Sequence, residues 1–222
     1  MAKKALLLGA SGLIGNEVLN LLLHDNYFEH VTVFVRKLLL VEHPKLKQQI
    51  VDFDNLETYK NEINGDIVFC CIGSTIKKAG SQDAFTKVDL TYPLEFAKLS
   101  KQNGIKQFLL VSSLGANGSS SNFYLKVKGD LESNLEKIKF ENLIILRPSM
   151  LLGNRKEFRL GEIIGKAFMQ IFSFLFFGKL KKYKAIEASD VAKAIVNLSK
   201  AIKDEVKIVE SDELKIFSES IL

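Results

Sequence analysis

The feature that most constrains the fold lies near the first residue, where three glycines separate an apolar run from a helical pattern. Lys4–Leu8 is almost continuously apolar, which is typical of a strand buried on both faces of a parallel sheet. Gly9, Gly12 and Gly15 follow, and Leu13–Leu23 carries Leu and Ile at helical spacing. Glycine permits a tight turn and a close approach to a pyrophosphate, which the N–H groups of the helix can hold. The pattern therefore predicts a strand–turn–helix unit that binds a dinucleotide.

Strand-length apolar runs alternate with helical patterns along the rest of the chain, which predicts an α/β fold with a parallel sheet. The further predicted strands are Val31–Val35, Gln49–Phe53, Asp66–Ile72, Lys106–Ser112, Leu143–Arg147 and Lys207–Val209. The further predicted helices are Gln82–Gln102, Phe123–Lys137, Gly161–Phe177 and one capped by Asp190 that runs to Ala201. We expect one domain over residues 1–222, with a nucleotide-binding core over 1–150 and a substrate-side lid with small C-terminal elements over 151–222.

Composition excludes several other classes of protein. Hydrophobic residues are 47% and charged residues 26% of the 222, which is ordinary globular usage and excludes disorder. The three histidines are scattered and Cys70 and Cys71 are adjacent, so no metal site is expected and a reducing, cytoplasmic location is favoured. The net charge of +5 is spread thinly and no nucleic-acid motif accompanies it, so no nucleic-acid partner is expected.

One apolar stretch, Ile163–Phe177, resembles a membrane span at first sight. It carries Lys166 and Gln170 and is shorter than the roughly 20 residues that a span needs, so we expect no membrane span. Two interpretations of its Phe side chains stay open. Core or homodimer interface is favoured, and a peripheral surface for a partner or a lipid is the alternative. These side chains are Phe168, Phe172, Phe174, Phe176 and Phe177.

The end of the second predicted strand indicates which dinucleotide binds. An NAD-preferring site usually has an acidic residue there, which bonds the ribose hydroxyl. Here Arg36 and Lys37 follow Val35, so two cations stand where an adenosine 2′-phosphate would lie. Because a guanidinium pairs with phosphate in bidentate geometry, NADP(H) is favoured over NAD(H). The alternative is an ordinary exposed basic pair.

Two other strand ends are expected at the cofactor, because ligands of such sheets bind outside the carboxyl ends of the strands. Asp52 and Phe53, after the third strand, are placed to contact the adenine. Gly73, Ser74 and Thr75, after the fourth strand, are placed beside the ribose.

A proton-transfer site is predicted after the fifth strand. Tyr124 and Lys128 lie four residues apart on a predicted helix, so both side chains share one face. A free phenol ionises near pH 10, and a neighbouring ammonium favours the phenolate. Tyr124 would then donate a proton to a carbonyl oxygen, and Lys128 would hold the ribose hydroxyls. A serine hydroxyl would bond the same oxygen, with Ser113 favoured over Ser112. The alternative is a Tyr–Lys pair on a surface helix.

These residues together resemble the short-chain dehydrogenase/reductase superfamily in its atypical branch, and more closely the Tat-interacting-protein family of NADPH-binding proteins. The resemblance covers residues 5 to about 162 and weakens beyond them. The stretches that carry it are 9–12, 51–53, 69–75, 78–80, 88–89, 112–116, 120–129 and 146–148.

The resemblance implies a Rossmann-like, doubly wound parallel sheet with a small C-terminal extension on the substrate side, and a bound NADPH. It also implies that Pro148 lines the nicotinamide. The residues expected to bind the cofactor are Gly9, Ser11, Gly12, Leu13, Ile14, Gly15, Arg36, Lys37, Asp52, Phe53, Cys71, Gly73, Ser74, Thr75, Tyr124, Lys128 and Pro148. The catalytic residues expected are Ser113, Tyr124 and Lys128.

Three functions compete on this evidence. The first is an NADPH-dependent oxidoreductase that acts on a small carbonyl or alcohol substrate with a Tyr as general acid and base. The second is a regulatory, protein-binding module that senses NADP(H) without significant turnover. The third, a sugar-nucleotide epimerase or dehydratase, is disfavoured because only 75 residues follow Arg147 and leave little material for a nucleotide-sugar pocket.

Overall fold

A seven-stranded parallel sheet forms the centre of the molecule in the computed structural model, which describes residues 2–153, 178–201 and 205–220. Its strands lie in the order β3-β2-β1-β4-β5-β6-β9, and β7 pairs with β8 in a small second sheet. The strands are β1 Lys3–Leu8, β2 Phe28–Val35, β3 Leu46–Ile50, β4 Ile67–Cys70, β5 Gln107–Val111, β6 Asn142–Arg147, β7 Leu151–Leu152, β8 Ile186–Glu187 and β9 Val206–Glu210.

Helices cover both faces of this sheet, so the predicted doubly wound α/β class is confirmed. They are α1 Leu13–His24, α2 Ile76–Ala79, α3 Gln82–Thr86, α4 Tyr92–Gln102, α5 Phe123–Ile138, α6 Ala188–Ala201 and α7 Ser211–Glu219. A π-helical turn, Lys87–Thr91, joins α3 to α4, and 3-10 segments occupy Phe53–Glu62 and Gly178–Tyr183.

The apolar run of β1 explains the layering. Leu6 and Leu8 point to one face and join the core under α4 and α5. Ala5 and Leu7 point to the other face and join the core under α1 and α6. Since side chains alternate along a strand, an element apolar at every position must be covered on both sides, which a central parallel strand is.

Strand register brings the functional loops to one edge. Leu8 of β1 pairs with Phe34 of β2 on one side and with Cys70 of β4 on the other, and Cys70 pairs with Leu110 of β5. The chain moves outward from β1 to β3 and then returns to β4 beside β1. The carboxyl ends of β1 and β4 therefore border the switch point where such sheets bind ligands.

Several predicted bounds differ from the structure. The second strand begins at Phe28 instead of Val31, and the helix predicted over Gln82–Gln102 is divided into α3, the π-helical turn and α4. Two further differences have a clear physical cause. The third strand, predicted as Gln49–Phe53, ends at Ile50, because the Asp52 carboxylate accepts a hydrogen bond from the Asp54 N–H and begins a 3-10 helix there. The helix predicted to be capped by Asp190 begins two residues earlier, at Ala188. The Asp190 carboxylate accepts a hydrogen bond from Lys215 of α7 instead.

The described residues after β6 contribute to the main layers of the fold. β9 pairs with β6 at the edge of the sheet, and α6 packs against α1 and α7. The predicted helix over 161–177 lies outside the described residues, so the lid that it would form stays a prediction.

Candidate functional site

The turn after β1 leaves no room for a side chain at Gly9 or at Gly15. Gly9 has φ +81°, and a Cβ there would lie 2.5 Å from the carbonyl carbon and oxygen of Cys71. A Cβ on Gly15 would lie 2.0 Å from the Gly9 carbonyl oxygen, which already accepts a hydrogen bond from the Gly12 N–H. The first and third glycines are therefore required so that β1, β4 and α1 can meet.

The N-terminus of α1 is suited to an anion. Gly12 occupies the cap position and supplies no side-chain acceptor, and the first turn carries no acidic residue. Ser11 is exposed, Leu13 is half-buried and Ile14 is buried. Helix dipole and N–H donors together favour a phosphate at this position, which fits the predicted pyrophosphate.

The basic pair lies directly after β2. Arg36 and Lys37 are both exposed, at the same edge of the sheet as the glycine turn. They begin the connection to β3, in which Leu38 and Leu40 are also exposed. Contact with a 2′-phosphate stays a prediction.

Asp52 and Phe53 lie where the 3-10 segment begins, and not at the end of an extended strand as predicted. One Asp52 carboxylate oxygen accepts from the Asp54 N–H and the other accepts from the Asn55 side-chain amide. Phe53 is buried, and its ring lies 5.4 Å from that of Tyr92, centroid to centroid. Both residues therefore stabilise the segment that follows β3. Their contact with adenine stays a prediction.

The loop after β4 runs along the glycine turn. The Cys71 N–H donates to the Leu8 carbonyl, and the Thr75 hydroxyl caps α2 by accepting from the Lys78 N–H. The Ser74 N–H donates to Asp89 Oδ2 at 2.8 Å. Burial raises the pKa of the Cys71 thiol. Its contact with the cofactor stays a prediction.

Lys128 lies in a buried ion pair at the centre of the site. Its Nζ is 2.7 Å from Asp89 Oδ1, and the two side chains are 5% and 0% exposed. A Cβ on Gly73 would lie 3.3 Å from that carboxylate oxygen and 3.7 Å from Nζ, so a side chain at position 73 would cover the ion pair. Burial alone lowers the pKa of Lys128, but the Asp89 carboxylate, with a smaller effect of Tyr124, outweighs it and the pKa is raised.

Tyr124 lies in the first turn of α5, the helix that carries Lys128, and the Asn122 side chain caps this helix by accepting from the Leu125 N–H. Its ring lies 5.7 Å from the buried ring of Phe85, centroid to centroid, and the side chain is half-buried. The phenol is thus supported on one side by α3 and lies one helical turn from Lys128.

The two serines after β5 differ in what their hydroxyls do. The Ser112 hydroxyl is buried and donates to Glu132 Oε1. Glu132 also holds Arg147, whose Nε lies 3.1 Å from Oε1, and this carboxylate raises the pKa of Arg147. The Ser113 hydroxyl is half-buried, and within the described part of the chain it makes one long contact, 3.5 Å, with the Leu114 carbonyl. Ser113 therefore keeps its hydroxyl available for a ligand.

Pro148 borders the candidate site where β6 ends. It is buried at the end of β6, and its carbonyl accepts from the Leu114 N–H at 2.9 Å. This bond ties the segment after β6 to the segment that contains Ser113.

Asp89 and Glu132 are site residues that the sequence reasoning did not assign. Both are carboxylates on the buried faces of helices, and each is paired with a cation. The available signal was spacing, because Lys128 and Glu132 follow Tyr124 at intervals of four residues, and Asp89 follows Phe85 by four on a face that is otherwise apolar.

Within the described residues, no group of three His, Cys, Asp or Glu side chains could hold a metal ion. Among the same residues, no helix has both the length and the apolar character to cross a membrane. The stretch 163–177 that raised the question of membrane contact lies outside them.

The chain is similar in sequence to members of a known family. The profile of a family described as NAD(P)H-binding matches residues 9–201. Protein HTATIP2 of Rattus norvegicus is 42% identical over 170 residues, which are 75% of this chain and 70% of the rat protein. The protein named "FMP52, mitochondrial" of Candida albicans is 32% identical over 226 residues, covering 97% of this chain and 98% of its own length.

Solved structures share the fold at low sequence identity. The enzyme WbmH of Bordetella bronchiseptica, solved with NAD+, superposes with a TM-score of 0.72 at 15% identity, covering 98% of this chain and 80% of its own. The oxidoreductase ylbE of Lactococcus lactis superposes with a TM-score of 0.68 at 18% identity, covering 98% of this chain and 96% of its own.

Proposed function

The chain belongs to the NAD(P)H-binding family, and we propose that within it the protein is an NADPH-dependent oxidoreductase that acts on a small carbonyl or alcohol substrate. The rat and yeast relatives confirm the resemblance to Tat-interacting proteins, and the shared fold confirms the Rossmann-like class. The observation that carries the proposal is the arrangement of Tyr124 and Lys128. Tyr124 lies one helical turn from the buried Lys128, and Gly73 has no side chain that would separate the Lys128 ammonium from a bound cofactor.

The residues present fit the dinucleotide. The turn at Gly9 and the N-terminus of α1, which has no side-chain cap, would receive the pyrophosphate, and Arg36 with Lys37 would bind the 2′-phosphate. The Lys128 ammonium has three N–H groups and lies 2.7 Å from Asp89 Oδ1, so an N–H that is not directed at this carboxylate can bind a ribose hydroxyl. When bound, NADPH supplies the hydride for reduction of the carbonyl carbon.

Side chains of the protein supply the proton and stabilise the charge that develops on the substrate oxygen. The Tyr124 hydroxyl donates its proton to the carbonyl oxygen as the C–H bond forms, which leaves an alcohol and a phenolate. The Ser113 hydroxyl donates a hydrogen bond to the same oxygen and stabilises its developing charge. Lys128 stabilises the phenolate until a proton from solvent restores it.

A second candidate, a module that senses NADP(H) and binds another protein without significant turnover, is favoured by one observation. Asp89 neutralises the charge of Lys128, and a neutral pair stabilises a phenolate less than a lone ammonium does.

A cytoplasmic location and a homodimer also stay predictions, and the yeast relatives are named as mitochondrial.

The experiment follows NADPH oxidation with a panel of small aldehydes, ketones and quinones. We expect Tyr124→Phe to lose about 10²- to 10⁴-fold in turnover while its NADPH affinity stays within about twofold. Tyr183→Phe, at an exposed tyrosine, is the control and should behave as wild type. Full turnover in Tyr124→Phe contradicts the assigned proton donor. NADPH binding with no turnover on any compound favours the sensing module.

A further inference from the structure

The side chain of Gln48 fastens the connection between β2 and β3. Its Oε1 accepts from the Leu39 N–H at 2.8 Å, and its Nε2 donates to the carbonyls of Leu39, at 3.2 Å, and Val41, at 3.1 Å. One amide therefore satisfies three backbone groups in a segment without regular secondary structure.

The segment that Gln48 bonds also contains Arg36 and Lys37. Leu39 lies two residues beyond Lys37 and three beyond Arg36. Leu39 and Val41 pack against the core, whereas Leu38 and Leu40 are exposed. In the described part of the sheet, β3 is an edge strand that pairs only with β2. Because no further strand lies beside β3 to hold the connection from β2, the amide of Gln48 supplies hydrogen bonds that anchor this connection.

We propose that Gln48 is a positioning residue for the 2′-phosphate of NADP(H), because it holds the Arg36–Val41 segment in the conformation that presents Arg36 and Lys37. This inference rests on the proposed preference for NADP(H). Two long basic side chains on a loose loop lose conformational entropy when they bind phosphate, and a fixed backbone reduces that loss.

The location of Gln48 makes the effect selective. The amide bonds only the segment after β2, whereas the glycine turn, Lys128 and Tyr124 belong to β1, α1 and α5. Loss of the amide should therefore weaken a ligand that carries the 2′-phosphate and leave one without it nearly unchanged. The ratio of NADPH to NADH affinity reports this role, and a general loss of structure would lower both affinities together.

The test measures dissociation constants of NADPH and NADH by calorimetry for the full chain and three variants. Gln48→Ala removes all three bonds, and Gln48→Glu keeps the acceptor for Leu39 but cannot donate to the two carbonyls. Gln49→Ala is the matched control, since its amide donates only to the adjacent Ile50 carbonyl at 3.4 Å. We expect Gln48→Ala to weaken NADPH about tenfold and NADH less than about twofold, with Gln48→Glu also selective and Gln49→Ala unchanged.

Each other outcome has a separate meaning. If wild type prefers NADPH and Gln48→Ala keeps that preference, or loses both affinities equally, the role of Gln48 is contradicted and the proposed function stands. If wild type binds both coenzymes equally, the proposed NADP(H) preference itself fails.

Discussion

The ammonium nitrogen of Lys128 lies 2.7 Å from Oδ1 of Asp89, and both side chains are almost completely removed from solvent. The second carboxylate oxygen of Asp89 accepts from the Ser74 N–H, so one side chain fixes both a helix residue and the loop after β4. Asp89 lies in the π-helical turn, a local distortion that is often found at functional sites. The pair therefore links three elements around the place where the cofactor ribose is proposed to lie.

Asp89→Asn should lower the free energy of unfolding by about 3–5 kcal/mol at neutral pH, because it leaves the buried Lys128 charge without its partner. The wild-type pKa of Lys128 is raised, so its stabilising effect is present below pH 10.5 and is lost only as the pH rises through the higher folded value. In the variant, burial lowers this pKa instead, so the penalty decreases as the pH rises. Urea unfolding at several pH values should show a difference that is largest near neutrality and shrinks in alkali.

A difference between wild type and Asp89→Asn that stays constant from pH 7 to strongly alkaline conditions would contradict the pairing. Lys215, which pairs with the mostly buried Asp190 but is itself half-exposed, offers the control. Lys215→Ala should cost no more than about 1 kcal/mol.

Ser112→Ala and Ser113→Ala should separate stability from turnover. Ser112→Ala removes a buried hydrogen bond to Glu132 and should cost about 1–3 kcal/mol of unfolding free energy with little effect on NADPH binding. Ser113→Ala should leave stability unchanged and lower carbonyl reduction about 10²-fold. Thermal unfolding together with NADPH oxidation distinguishes the two, and the reverse pattern would assign the substrate contact to Ser112.

Gly129→Ala should displace the loop that carries Ser113. A Cβ on Gly129 would lie 2.2 Å from the Gly118 nitrogen and 2.3 Å from the Asn117 carbonyl carbon, which are backbone atoms that cannot give way locally. Gly118→Ala is the matched control in the same contact, because the one close neighbour of its Cβ within the described residues is Oδ1 of the movable Asp130 side chain, at 2.8 Å, and the Asp130 backbone nitrogen is at an ordinary 3.8 Å. We expect loss of turnover and a clearly lowered melting temperature for Gly129→Ala. Similar melting temperatures for both variants would show that the loop adapts.

Arg36→Ala should weaken NADPH about 10- to 100-fold and NADH by less than about twofold, since a charge-assisted bond to phosphate is lost only with the first ligand. Lys47→Ala removes a nearby exposed charge that pairs with Glu62, and should leave both affinities unchanged. Dissociation constants from fluorescence titration provide the comparison. Equal losses for both coenzymes with Arg36→Ala would place the 2′-phosphate elsewhere.

Periodicity predicted the sheet well because burial on both faces requires continuous apolar runs such as that of β1. It failed at Asp52, because the hydrogen bonds of that carboxylate to Asp54 and Asn55 end the extended conformation, and apolar spacing carries no information about such bonds. The glycine turn could be predicted because only glycine fits where Gly9 meets Cys71.

The chemistry of the site was less accessible to sequence reasoning. Tyr124 and Lys128 could be paired through helical spacing, but the partner of Lys128 lies 39 residues away in sequence, on another helix. The choice between Ser112 and Ser113 also depends on a distant residue, because Glu132 on α5 engages the first hydroxyl. Long-range pairing of polar groups is a property of the folded packing, which local patterns do not encode.

The central claim is that NADPH lies across the edge of the sheet between the glycine turn and Tyr124. A crystal structure of the protein with NADPH tests it directly. The account predicts the pyrophosphate against the N-terminus of α1, the 2′-phosphate within hydrogen-bond distance of Arg36, and the nicotinamide ring in contact with Tyr124 and Pro148. A coenzyme bound away from Gly9, or with its nicotinamide turned away from the Tyr124 hydroxyl, would contradict it.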